Sequence, residues 1–264
     1  MATGAISSPV LGSPSIGASK KQSMKIATYL INLDGSDERL SAISAALQKH
    51  GIAFERVPAV DGRQFDVQAL DCYQEQEALS YMGRQLVGGE IGCYLSHLEC
   101  AKRFLASDSD ALVVIEDDMQ VDINFLPIIE NALRWLAQQH PHWEVINYGN
   151  QKMKIATPLH SVKEQGQTFA LCHAHYFPMT TTGIVWSRSG AQAFVDASGQ
   201  IFAPVDNFLR HWQTRRNRGY CFAPPLVTTT GSESEIDTGS KRKAHRREWY
   251  YYFSKQRRLW VDKF

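Results

Sequence analysis

The stretch ALVVIEDDM, residues 111–119, runs five residues fit for a buried strand, Ala111 to Ile115, directly into three carboxylates, Glu116, Asp117 and Asp118. An unpaired carboxylate is costly to bury. A core strand that ends on three adjacent negative charges therefore needs either full solvation or a cation that neutralises them. Which of the two holds depends on what the neighbouring segments build around this strand.

Upstream, KIATYLINL (25–33) is short, apolar and β-prone, and reads as a strand. Asp37 and Glu38 open a helical pattern in which Leu40, Ile43 and Leu47 share a face, with Lys49 and His50 near its end and Gly51 as its stop. FERVPAV (54–60) is a second strand, so the three elements form a βαβ unit with a parallel pair. Residues 62–88 read as irregular and polar, and GEIGCYLSHLECAKRFLAS (89–107) as a helix with Ile91, Leu95, Leu98 and Leu105 on one side. Beyond the acidic triplet, FLPIIENALRWLAQ (125–138), SRSGAQAFVDAS (187–198) and PVDNFLRHWQT (204–214) read as helices. WEVINYG (143–149), FALCHAHYF (169–177) and TTGIVWS (181–187) read as strands. The alternation predicts an α/β sheet, and ligands of such sheets collect at the C-terminal ends of strands, where Glu116–Asp118 stand.

Three readings compete for the triplet. A solvated acidic turn needs no partner. A phospho-receiver site needs a second Asp at the end of a later strand, and no Asp occurs between Asp122 and Asp196, which removes it. A sugar-nucleotide site needs a hard divalent cation, Mn²⁺ or Mg²⁺, to bridge the diphosphate, and short carboxylate side chains suit an all-oxygen site for it.

The segments YLINLDGSDERL, FERVPAVDGR, GGEIGCYLSHLECAKRFL, ALVVIEDDM, TTTGIVWSRSGAQAF and APVDNFLRHW, in this order, resemble glycosyltransferase family 25 over roughly residues 24–238. The specific part is GEIGCYLSH followed about twenty residues later by IEDD. The resemblance implies a GT-A-like single domain with a central, mostly parallel sheet. It also implies transfer of a hexose, galactose from UDP-galactose, with inversion, onto a glycan or glycolipid such as a lipopolysaccharide or lipooligosaccharide.

By the same resemblance, Asn32, Leu33 and Arg39 stand where the nucleotide would lie, and Val60 and Asp61 where uracil and ribose would. Asp61-Gly62 equally suits a plain turn. Gly89, Glu90, Gly92, Ser96 and His97 match the family helix, its glycines letting backbone amides approach a phosphate or sugar. His97 also suits a satisfied core histidine. Asp118 is the first metal ligand, with Glu116 beside it near the ribose and Asp117 as a second ligand or orienter. Asp206, in the first turn after Pro204, matches the acid that would act as base, and equally suits a residue that complements the helix dipole. The acidic stretch GSESEID (231–237) would add metal or acceptor contacts. A nucleotidyltransferase, or a non-catalytic sugar-nucleotide-binding protein of the same fold, are the alternatives.

The bulk numbers agree with one α/β domain. The chain has 264 residues, 44% of them hydrophobic, and a net charge of +1. Cys72, Cys93, Cys100, Cys172 and Cys221 show no CxxC spacing, which fits free thiols and a cytoplasmic protein. His173 and His175 share a strand face without a third ligand and read as a polar sheet surface. Residues 1–23 lack the pattern of a signal peptide and are expected to be a flexible tail, followed by the catalytic domain over 24–240. Residues 241–264 form a basic aromatic segment, expected to be helical. Eight Lys/Arg against one Glu in 241–258 interleave with Trp249, Tyr250, Tyr251, Tyr252, Phe253 and Trp260. That pattern suits an anionic membrane surface at the cytosolic face of the inner membrane, or simple packing on the domain. A nucleic-acid partner has no fold motif behind it and ranks last.

Overall fold

The computed structural model describes residues 24–149, 152–230 and 256. The expected tail 1–23, the acidic stretch 231–237 and the basic segment 241–264, apart from residue 256, lie outside the described residues.

The chain begins β1 (Ile26–Asn32), α1 (Asp37–Lys49), β2 (Glu55–Pro58), α2 (Glu75–Met82), α3 (Gly88–Ala106), β3 (Ala111–Glu116), β4 (Met119–Gln120) and α4 (Leu126–Gln139). It continues β5 (Val145–Asn147), β6 (Ala156–Glu164), β7 (Gln167–Ala174), β8 (Gly183–Ser187), α5 (Arg188–Ala197), α6 (Val205–Arg216), β9 (Gly219–Ala223) and β10 (Thr228–Thr229). Eight strands form one sheet in the order β2-β1-β3-β8-β5-β9-β7-β6. The pairs β1–β2, β1–β3 and β5–β9 are parallel, while β8 and β7 run against their neighbours. All the other strands of this sheet therefore point one way, in the mostly parallel α/β arrangement expected. Short β4 and β10 pair apart from it.

β3 shows why the sheet is covered on both faces. Ala111 to Ile115 are each at most 1% exposed. Side chains alternate along a strand. Leu112 and Val114 enter the core beneath α2, α3, α5 and α6, whereas Val113 and Ile115 enter the core beneath α1 and α4. Burying each such aliphatic side chain contributes roughly 1.5–3 kcal/mol. An unbroken apolar run is the signature of a strand buried on both sides.

The structure departs from the sequence expectation in several places, and β4, β9 and β10 match no expected element. The region 62–88 is not irregular throughout: it carries α2, stopped by Gly83 in the left-handed conformation. The strand expected over 143–149 is only Val145–Asn147. The edge hairpin β6–β7 was legible only in its second half. β6 is mostly exposed, so it has no apolar run to read, and its partner is reached through a two-residue turn with Gln165 at φ 47° and Gly166 at φ 78°. Two consecutive positive φ values are what the tight hairpin turn requires.

Candidate active site

β1, β2 and β3 end side by side. Ile31 pairs with Glu116 across the ladder, and the Ala59 amide donates to the Asn32 carbonyl. Around these exits lies an open cleft of about 730 Å³ lined by Asn32, Leu33, Arg39, Val60, Asp61, Gly89, Ser96, His97 and all three carboxylates Glu116–Asp118. The chain returns to the same place at its described end, where the Thr230 amide donates to the Asp118 carbonyl.

The three acids have different surroundings. Asp117 is clamped: Asn32 Nδ2 donates to it at 2.8 Å and Arg39 pairs with its other oxygen. Asn32, 2% exposed, is itself held by Arg56 Nε at 3.0 Å, so it orients Asp117 at the cleft wall. Among the described residues Glu116 is held through one oxygen. Its Oε1 accepts from Thr181 Oγ1 at 2.6 Å and is bonded to His97 Nε2 at 2.9 Å. Burial pushes the Glu116 carboxyl up, but the His97 and Thr181 hydrogen bonds outweigh it and leave it below the ordinary value. Asp118 is the unsettled member. Its Oδ1 is buried with no hydrogen-bond partner among the described residues. Burial first, and Glu116 next, push its pKa up to about 6.

A buried carboxylate oxygen without a partner, in a cluster of three acids with Arg39 paired to one of them, fits a hard divalent cation. Asp118 and Glu116 are the side chains that would hold it. A softer set is also near: ligand atoms of Cys93, His97 and Glu116 lie within 4.8 Å of one another. Burial pushes the Cys93 thiol well up, however, and His97 already bonds Glu116, so the oxygen donors fit better.

Several other expected residues line the cleft in supporting roles. Ser96 Oγ accepts from the Val60 amide at 2.9 Å and donates to the Gly92 carbonyl at 2.7 Å, tying α3 to the β2 exit. Asp61 pairs with Arg63 at 2.6 Å, and the Arg63 hydrogen bonds hold its pKa down to about 2.

Two expected donor contacts are corrected by the structure. Glu90 turns away into a closed, fully buried pair with Arg84, with bonds of 2.6 and 2.9 Å, and caps its own helix through the Val87 amide. Gly92 serves packing: a Cβ there would lie 2.4 Å from the Val60 carbonyl oxygen, so only glycine lets α3 lie this close to the 60–62 loop. Asp206 does not line the cleft itself. It is half-buried on α6, accepts from the Asn207 amide at 2.7 Å, and is pushed up by burial first, with Glu116 adding to the shift. It thus stands within electrostatic reach of Glu116. Cys93, Arg63 and Thr181 were not singled out by the sequence. Only the run Thr180–Thr182 just before β8 hinted at the last of them.

With this geometry in hand, relatives can be placed. Residues 25–209 match glycosyltransferase family 25 (LPS biosynthesis protein). Procollagen galactosyltransferase 1 of Danio rerio is 28% identical over 236 residues, 80% of this chain and 38% of that protein. Procollagen galactosyltransferase 2 of Homo sapiens is 28% identical over 69% of this chain and 29% of its own length. The probable inactive glycosyltransferase 25 family member 3 of Rattus norvegicus is 27% identical over 76% of this chain and 36% of its own. The chain thus spans only 29–38% of these relatives. A solved glycosyltransferase involved in the glycosylation of the major capsid of PBCV-1 aligns over 84% of this chain and 100% of its own, with a TM-score of 0.44 and 8% identity.

Proposed function

The chain belongs to glycosyltransferase family 25, and from that premise we propose that its carboxylate cleft binds UDP-galactose with a divalent cation and transfers the hexose, with inversion, to an acceptor hydroxyl. The observation that carries this reading is Asp118: a buried, unpartnered carboxylate oxygen at the strand exits, beside two further acids. Bound Mn²⁺ or Mg²⁺, held by Asp118 and Glu116, would offset the charge that develops on the diphosphate leaving group. Asn32 and Arg39 keep Asp117 in place beside that pair. Gly89, in the first turn of α3, brings helix amides to the cleft wall, where an anion is favoured.

Asp206 is the proposed base. As the acceptor oxygen bonds the anomeric carbon and the bond to the diphosphate breaks, the hydroxyl proton passes to its carboxylate. A carboxyl whose pKa is raised by burial is a better base than an exposed one.

The acceptor follows one of two leads. The family description points to a lipopolysaccharide or lipooligosaccharide glycan, and the relatives' names point to procollagen. On the glycolipid reading the protein works in the cytoplasm, with residues 241–264 attaching it to an anionic membrane. Among the described residues no helix is long and apolar enough to cross a membrane. Cosedimentation with anionic vesicles, with and without residues 241–264, tests the attachment.

A panel of nucleotide sugars with Mn²⁺ in a thermal-shift assay tests the donor, because a ligand of the folded state raises the melting temperature by mass action. UDP released without pyrophosphate separates sugar transfer from nucleotidyl transfer. One relative is named probable inactive, so donor hydrolysis without acceptor is the measurement that excludes a binding-only protein.

A further inference from the structure

We propose that Thr181 is a positioning residue of the donor site: it pins Glu116 through one oxygen so that the other faces the bound sugar nucleotide. The inference rests on the glycosyltransferase reading and deepens it.

Glu116 Oε1 takes both hydrogen bonds the protein offers, from Thr181 Oγ1 at 2.6 Å and with His97 Nε2 at 2.9 Å. Oε2 takes none among the described residues and is not enclosed, and Glu116 lines the cleft. Two bonds on the same oxygen fix the rotamer of a glutamate whose chain would otherwise wander, and leave a single acceptor turned outward. His97 is fully buried and Thr181 is 6% exposed, whereas the Glu116 side chain is 23% exposed.

What holds Thr181 is an unusual turn. Thr180 has φ 79°, left-handed backbone in a β-branched residue. Such a conformation survives only where the surroundings impose it, and clusters at functional sites. The surroundings here are specific. Asn147, fully buried at the end of β5, donates from Nδ2 to the Thr180 carbonyl at 2.7 Å. Thr180 Oγ1 donates to the Gly149 carbonyl at 3.2 Å, and the Glu116 amide donates to the Thr182 carbonyl at 3.1 Å. The 180–182 segment is thus strapped to β5 on one side and to the end of β3 on the other. Ordinary packing between two strands does not require a left-handed threonine. Delivering a hydroxyl to Glu116 at a set distance supplies a reason for one.

The experiment compares Thr181→Val, Thr181→Ser and Thr180→Gly with wild type. UDP-galactose affinity is read by calorimetry with Mn²⁺, turnover by UDP release, and melting temperature without ligand. Thr181→Val, nearly isosteric, should weaken donor affinity roughly ten-fold, the scale of one hydrogen bond to a charged group, with the melting temperature little changed. Thr181→Ser, which keeps the hydroxyl, should restore most of it. Thr180→Gly, which accepts φ 79° without strain, should keep or raise the melting temperature while donor affinity falls several-fold. Wild-type affinity in Thr181→Val, or equal loss in the Val and Ser variants, overturns the positioning role. Full donor affinity in Thr180→Gly overturns the role of the turn. Failure of the wild type itself to bind UDP-galactose overturns the donor reading and this inference with it.

Discussion

Two acidic sites at opposite ends of the sheet are built on opposite principles. At the start of β5, Glu144 is 1% exposed and saturated. Arg216 pairs with it, Arg218 donates at 3.1 Å and Gln213 at 2.9 Å, so its pKa is held below the ordinary value despite burial. At the end of β3 Arg39 clamps Asp117, and among the described residues Asp118 keeps a bare oxygen and a raised pKa. The first site ties α6 and β9 to β5 with both oxygens of its carboxylate bonded, and its one bare atom, Gln213 Oε1, is neutral. The second, on the proposed function, is completed by a bound cation. A folded chain tolerates unsatisfied buried polar atoms rarely, and each one asks for an explanation. At Asp118 the proposed cation supplies it.

The comparison breaks most visibly in catalysis. Asp206→Asn should lower transfer by roughly 10²–10⁴-fold with donor binding intact, measured as kcat with saturating UDP-galactose. A variant that instead loses UDP affinity and keeps its maximal rate would make Asp206 a binding residue. Asp118→Asn should lose activity by roughly 10²–10³-fold, the scale of a removed electrostatic contact to a developing charge, without losing stability. Glu144→Gln should do the reverse: activity near wild type, and a stability loss of about 1–3 kcal/mol from the hydrogen bonds it weakens in a buried site, read from urea midpoints.

Acidification sharpens the contrast. Asp118 has its folded pKa raised to about 6 from 3.8. Its contribution to stability is full below the unfolded value and is lost as pH rises through about 6. Asp118→Asn should therefore melt higher than wild type at pH 7 in EDTA, with the gap closing towards pH 4. Glu144 has a lowered pKa, so its contribution is present at neutral pH and is lost as pH falls through the folded value. The penalty of Glu144→Gln should accordingly shrink on acidification. In melting curves across pH 4–8, measured against wild type, the Asp118→Asn gap should already be closing between about pH 7 and pH 5, whereas the Glu144→Gln gap should hold there and close only below the unfolded value of 4.5. Gaps that closed over the same range would mean that the two acids are not differently built.

The sequence made one of these sites legible and not the other, for physical reasons. The apolar run Ala111–Ile115 and the acids after it are adjacent in the chain, so the strand, its exit and the candidate cleft can be read together. So can Asn32 and Val60, which follow similar runs. Glu144 sits next to Trp143 with its partners some seventy residues later, and no local pattern connects them. The same limit hides Thr181, which meets Glu116 across 65 positions, and the pairing that takes Glu90 out of the cleft, since Arg84 lies in a segment that reads as polar and irregular. α2 and β6 escape for a different reason: both bury too few side chains to impose a period.

The most direct test of the central claim is calorimetric titration of UDP into the wild-type protein and Asp118→Asn, each in Mn²⁺ and in EDTA. The account predicts binding by the wild type in Mn²⁺ alone, and loss of that binding in Asp118→Asn with its fold intact by circular dichroism. Equal UDP affinity in EDTA, or in the folded variant, would contradict it.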